Sequence, residues 1–256
     1  MLTGIDHLVV LVHDLDAAVN DYADLGFAVV RGGRHPGGTH NALIGFADGS
    51  YLELLAFHEP VPNHRWWPTL QRGGGLVDFC MATDDLRADM EALRRAGVQM
   101  SDVFPLSRQR PDGYAVRWVL SVPADDFSRA APFLIQDETP RDERLPKERQ
   151  HRNHVNGVAA LTCVTRDASA VQQRFSGVLR QAAQPVVRDD LDATGVRFTV
   201  GRHVLDYVVP RRPAGSLNDW LRFEGPSPYA VTLKADAGSA QSLDAAKLRR
   251  ARLAVG

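Results

Sequence analysis

One pattern occurs twice, and a third time in looser form, and it fixes the class of fold. A β-branched strand runs from Ile5 to Val12, and Asp14 stands where a helix N-cap belongs. Leu15, Ala18, Val19, Tyr22 and Leu25 follow at helical spacing, and Gly26 ends the helix as a C′ glycine does. Phe27 to Arg31, Asn41 to Phe46 and Tyr51 to Phe57 then read as strands, with Asp48-Gly49 as a hairpin turn. The order is βαβββ. It returns as a strand from Leu76 to Thr83, a helix capped at Asp84 or Asp85, and Gly97 behind it. Extended chain from Val98 to Leu106, a turn at Pro111-Asp112-Gly113, and strands Tyr114 to Val122 and Phe133 to Gln136 complete the copy. The offset that lays Asp14-Leu15 on Asp85-Leu86 also lays Gly26 on Gly97, so a repeat is the simplest account.

The third copy starts with Val158 to Thr165, a cap at Asp167 and a helix from Ala168 to Arg180. Val186 to Arg188, Val196 to Val200 and Val204 to Val209 follow as strands, then a helical turn over 216–223 and a last strand from Tyr229 to Lys234. This predicts an α+β chain with paired βαβββ modules over 1–140 (about 1–57 and 74–137). A charged connector over 141–156, a third module over 157–236 and a small polar tail over 237–256, loosely helical from Ser242 to Leu253, complete it. The connector carries Arg141, Asp142, Glu143, Arg144, Lys147, Glu148 and Arg149 with few apolar residues and reads as solvated, or else as a strap over the first domain.

Composition removes several functions. The 256 residues carry 30 basic and 31 acidic side chains, so no strong field favours nucleic acid or anionic lipid. No apolar run approaches the ~20 residues that span a bilayer, and no signal peptide is apparent. Cys80 and Cys163 in apolar strands predict two buried thiols in a reducing, cytoplasmic setting. No Gly-x-Gly-x-x-Gly links a strand to a helix, which argues against a nucleotide cofactor, and no Gly-x-Ser-x-Gly elbow supports serine catalysis.

Three stretches carry a family resemblance: Ile5-Asp6-His7-Leu8-Val9-Val10, the glycine-rich run Gly32 to Ile44, and Gly49-Ser50-Tyr51-Leu52-Glu53-Leu54-Leu55. They resemble the glyoxalase-like branch of the vicinal oxygen chelate superfamily. Gly113 to Trp118 and Pro132 to Gln136 resemble its second-half landmarks. The resemblance implies a half-open mixed β-barrel cup, the glyoxalase/bleomycin resistance/dioxygenase fold, built from paired modules. It implies a divalent metal held by a His or Gln on the first strand and a Glu on the fourth strand of each module. His7 and Glu53 match the first pair. A His and a carboxylate there would suit Zn²⁺, Fe²⁺, Mn²⁺ or Ni²⁺; the plain structural alternative is a buried His–Glu hydrogen bond.

The second pair departs from the pattern. The repeat offset puts Asp78 opposite His7, and the second Glu position falls at Ile135 or Gln136. In the third module Ala160 stands at the His7 position and Asp206 near the Glu53 position. Ile5, His7 and Val9 should share one strand face, as should Tyr51, Glu53 and Leu55. Thr39, His40 and Asn41 beside the glycines, one of Arg117 and Trp118, and Gln136 are the expected substrate contacts. Trp66-Trp67 is expected to pack between modules. Two functions follow as expectations. One is a metal-assisted lyase, isomerase or ring-cleaving dioxygenase on a small oxygen-rich molecule, with His7 and Glu53 catalytic and His7, Glu53 and Asp78 as ligands. The other is a metal-free cup that binds or sequesters a small molecule. The unpaired third module leaves two assemblies open, a homodimer or a module that folds back on its own chain.

Overall fold

A computed structural model describes residues 1–110, 112–124, 129–239 and 242–256. The first module is β1 (Leu2–Leu11), α1 (Leu15–Asp24), β2 (Val30–Arg34), β3 (Thr39–Gly45) and β4 (Tyr51–Phe57). A short helix, α2 (Trp67–Gln71), leads to β5 (Gly75–Thr83), α3 (Leu86–Arg95), β6 (Phe104–Gln109), β7 (Ala115–Ser121) and β8 (Phe133–Asp137). After α4 (Arg141–Arg144) come β9 (Val155–Val164), α5 (Ala168–Leu179), β10 (Gln184–Arg188), β11 (Ala193–Val200) and β12 (His203–Pro210). The chain ends with α6 (Ser216–Phe223), β13 (Ser227–Ala235) and β14 (Leu253–Val255). Asp14, Asp85 and Asp167 each cap their helix, their carboxylates accepting from backbone N–H groups of the first turn. Of the expected turn at Pro111-Asp112-Gly113, Pro111 lies outside the described residues.

The strands form two mixed sheets. One runs β2-β3-β4-β1-β5-β8-β7-β6 and the other β10-β11-β12-β9-β13-β14. The six strands of the second match the first six places of the other, including strand direction. β4 and β12 pair in parallel with β1 and β9, β5 and β13 pair antiparallel to them, and β8 and β14 pair in parallel with β5 and β13. The C-terminal half is therefore a complete third module followed by two strands of a fourth, with no counterparts of β6 and β7 among the described residues. The tail is not helical. Positive φ at Arg249 and Arg250 breaks any helix there, and the chain emerges as β14.

Each sheet has a helix side and a concave side. Leu8, Val10, Leu52 and Leu54 face the helices and join one core that also holds Leu161, Phe175, Leu205, Leu233 and Leu248, so both sheets share it. On the concave side of the first sheet, Val9, Leu11, Leu55, Trp118, Phe133 and Ile135 line an apolar cup that α2 partly covers. β2 and β6, the outer strands, come into contact and close the curl. In the second sheet, α6 lies on the matching face over Val164, Val208 and Tyr229.

The connector is a built strap. Arg144, Leu145, His151 and Asn153 are buried. His151 accepts from the Ala28 N–H at 2.9 Å and lies 2.9 Å from the Gly45 carbonyl through its other ring nitrogen. Arg141, Glu143 and Arg144 pair with residues of the first sheet or beside it, while Asp142, Lys147 and Glu148 are exposed.

Candidate functional site

The cup encloses a cavity of about 460 Å³. β4 alternates cleanly, with Tyr51, Glu53 and Leu55 inward. β1 does not. Its register with β5 shifts between Ile5 and His7, so Ile5 joins the helix-side core while His7 lines the cup. The expected shared face of Ile5 and His7 is thus broken by a bulge, and adjacent Asp6 and His7 can meet. His7 Nδ1 lies 2.6 Å from Asp6 Oδ1. Burial alone would push the Asp6 carboxyl up. The Arg144 guanidinium and hydrogen bonds from His7 and Arg144 outweigh it and hold the carboxyl well below its usual range. Asp6 is therefore an acceptor, and His7 Nδ1–H donates to it.

That leaves His7 Nε2 facing Glu53 Oε2 at 3.6 Å. The gap is too long for a direct hydrogen bond and suits a bridging atom. Tyr51 stacks on the His7 ring at 4.6 Å and Phe133 meets it edge-on at 5.2 Å, which fixes its plane. Asn41 Nδ2 donates to Glu53 Oε1 at 2.6 Å, and Asn41 Oδ1 accepts from the Gly33 N–H at 3.0 Å. Gly32 is needed beside them: a Cβ there would sit 1.9 Å from Asn41 Oδ1.

The expected ligand Asp78 lies elsewhere. It is wholly buried, paired with Arg65, and accepts from Trp66 Nε1 at 2.9 Å and from the Phe79 N–H at 2.9 Å. Burial outweighs Arg65 and pushes its carboxyl up. The second Glu position is corrected by strand pairing. Val9 pairs with Glu53, the repeat offset carries Val9 onto Cys80, and Cys80 pairs with Phe133. The position is thus Phe133, not Ile135 or Gln136. Ile135 lines the cup, while Gln136 turns outward and accepts from the Leu86 N–H at 2.8 Å, at the start of α3.

Other expected contacts divide by strand alternation. Thr39, Asn41 and Trp118 line the cup. His40 points away and meets His58 edge-on at 5.9 Å. Arg117 is exposed on the outer face of β7. Trp66 lines the cup and packs with its core, and Trp67 packs on Phe57 at 5.1 Å, so the pair serves the cup rather than a module boundary.

Sequence reasoning missed the floor of the site. Arg144 is 3% exposed and bonds both Asp6 oxygens at 2.9 and 2.8 Å, the Tyr51 hydroxyl at 2.9 Å and Asp137 at 2.6 and 2.9 Å. Arg141 also pairs with Asp6. The available signal was an arginine in a Pro-bounded connector facing a buried "Asp-His" pair. Arg108, from β6, was also missed. It reaches across the seam to the glycines of β2, its side chain 3.3 Å from where a Gly33 Cβ would stand.

The residues present do not fit the superfamily's four-ligand metal. Two ligands remain, His7 and Glu53; the third position is an Asp already held by a guanidinium, and the fourth is Phe133. Asp6, His7 and Cys80 do bring one ligand atom each within 4.8 Å of the others. Asp6, however, is bound by two arginines, and burial pushes the Cys80 thiol well above its usual range. A divalent cation there would displace or repel fixed guanidinium charge.

A barrel of paired βαβββ modules, with His on the first strand and Glu on the fourth facing into its cup, defines a vicinal-oxygen-chelate protein. The sequence matches the family described as "Glyoxalase-like domain" over residues 5–179, and the chain belongs to that glyoxalase-like branch of the superfamily. No protein of curated function matches it. Among solved structures, a hypothetical protein from Staphylococcus aureus is similar at 16% identity, covering 98% of each chain with a TM-score of 0.70. A mutant 4-hydroxymandelate synthase from Streptomyces coelicolor is similar at 14% identity over 93% of this chain and 74% of its own, TM-score 0.60. A xylose isomerase-like TIM barrel/4-hydroxyphenylpyruvate dioxygenase fusion protein is similar at 14% identity over 93% of this chain and 37% of its own, TM-score 0.58. These likenesses are of fold. No helix among the described residues is long and apolar enough to cross a membrane.

Proposed function

We propose that the first cup binds a small, largely apolar carbonyl compound and moves a proton on it without a metal, as an isomerase does. The observation that carries this reading is the Glu53–His7 pair. A buried carboxylate, without an Arg or Lys partner among the described residues, faces a ring nitrogen across 3.6 Å inside an apolar cavity. One of its oxygens accepts from Asn41 and the other faces the His7 ring, so a substrate carbon that enters the cup meets an acceptor for its proton. Glu53 takes the proton from the carbon next to the carbonyl, the C–H electron pair moves into a C=C bond, and the carbonyl oxygen becomes the enolate oxygen. His7, fixed by Asp6, presents Nε2 to the same volume and relays the proton back to carbon or oxygen. The products are an isomer or the starting compound, so no co-reactant is consumed.

The test is hydrogen exchange in D₂O, with EDTA present, on a panel of aldehydes, ketones and 2-oxo acids followed by proton NMR. Exchange with at least one member should survive the chelator and fall about 10²–10⁴-fold in Glu53→Gln. Exchange lost to EDTA and restored by Zn²⁺, Fe²⁺, Mn²⁺ or Ni²⁺ would instead favour a metal on Asp6, His7 and Cys80. Saturable binding with no exchange would favour a sequestering cup.

A further inference from the structure

Three arginines reach the cup: Arg65, Arg108 and Arg144. Two are committed. Arg65 pairs with Asp78, and Arg144 holds Asp6 and Asp137. Arg108 makes no ion pair among the described residues. Its Nη2 donates to the Arg144 carbonyl at 2.9 Å, and its Nε is buried without a hydrogen-bond partner. Glu53 shares the cup yet lies beyond ion-pair reach of it. A guanidinium largely withdrawn from water and met by one carbonyl but no carboxylate is costly, and an anion that enters the cup would supply the missing counter-charge. The backbone is cut to admit this side chain: Gly32 and Gly33 leave the space through which it crosses from β6 to β2, and a Cβ on Gly32 would stand 3.2 Å from Nη1.

The remaining walls are apolar. Phe104, Leu106, Trp118, Leu120 and Ile135 form the side opposite the Glu53 and Asn41 wall. The geometry points to a monocarboxylate ligand: its carboxylate is met by Arg108, and its apolar body lies on Trp118 and its neighbours. This names a substrate class for the site and rests on the proton-transfer reading only in sharing its cavity. A planar guanidinium suits a carboxylate better than a carbonyl, since two parallel N–H groups match two oxygens.

The experiment is calorimetric titration of the full chain, in EDTA at neutral pH, with 3-phenylpropanoate and octanoate and with their amides. The acids should bind and the amides should bind about 10- to 100-fold more weakly, the effect of one charge-assisted hydrogen bond. Arg108→Met should weaken the acids alone and level the two series. Equal binding of acid and amide to the unaltered protein overturns the proposal whatever the variant does. So does binding of neither acid, or an acid preference that survives in Arg108→Met. The two readings fail separately. Exchange that needs Glu53 alongside equal acid and amide binding defeats this proposal and leaves proton transfer standing. An acid preference lost in Arg108→Met alongside exchange indifferent to Glu53→Gln supports this proposal and defeats proton transfer.

Discussion

Gly32 shows how narrowly this site is cut. Its α-carbon faces Asn41, whose amide is held between the Gly33 N–H and Glu53. Gly32→Ala should force that amide away and cost about 1–3 kcal/mol in urea unfolding, the scale of a broken hydrogen bond to a buried charged group. Affinity for any cup ligand should fall with it; unchanged stability would mean the loop yields freely. The glycine-rich run was visible in the sequence, and so were His7 and Glu53, because a motif and a strand period place them. Asn41 could be placed beside the site but not bonded to Glu53, since that bond depends on β3 lying against β4. His40 was drawn in by proximity along the chain and strand alternation sends it outward, while alternation on β7 left Arg117 or Trp118 to face inward and the structure turns Trp118 in. Phe133 was hidden by a spacing change in the second module, where β8 follows β7 after a longer connection than β4 follows β3.

α4 and the strap beyond it couple charge to fold. Arg144→Met would leave buried Asp6 and half-buried Asp137 without the cation that bonds both, a change that should cost about 3–5 kcal/mol. The Asp6 carboxyl is held below its unfolded pKa, so its stabilisation is present above the ordinary carboxylate range and is lost as pH falls through the folded value. The variant should therefore lose stability mainly at neutral pH and converge on the parent in acid, measured by urea midpoints across pH. Asp78 has the opposite sign. Its folded pKa is raised, so its contribution is full below the ordinary value and is lost as pH rises through the folded one. Asp78→Asn should gain on the parent as pH rises above the ordinary carboxylate range, and a difference constant with pH would sink that account. None of this could be read from a run of arginines and acids alone. Such runs are usually solvated, and only the three-dimensional path of residues 141–153 shows which partner each charge has.

The two sheets should melt together. Leu8, Ile44, Phe175, Leu205 and Leu248 belong to one packed cluster, and β13 packs near β5. Calorimetry should show a single transition, and two resolved peaks would disprove the shared core. Removal of residues 242–256 should lower stability by about 1.5–3 kcal/mol for each of Leu248 and Leu253, because both are buried and the Tyr22 hydroxyl bonds the Leu248 carbonyl at 3.1 Å. The repeat was legible in the sequence for three modules because each first strand is followed by an Asp-capped helix. Among the described residues the fourth has no helix and only two strands, so sheet order discloses it. At the third module's Glu53-like position, Asp206 is already held by Arg197 at 2.6 and 2.7 Å and by Arg188 at 3.4 Å.

The strap also bears on how the protein can be divided. A fragment ending near residue 140 would keep every strand of the first sheet, yet leave behind Arg141 and Arg144. Its His7 would then rest on an aspartate with no counterweight, in a pocket shaped for guanidinium. The joint between the halves is thus also the keystone of the first half, and shuffling these halves between proteins would carry away a piece of the site with the hinge.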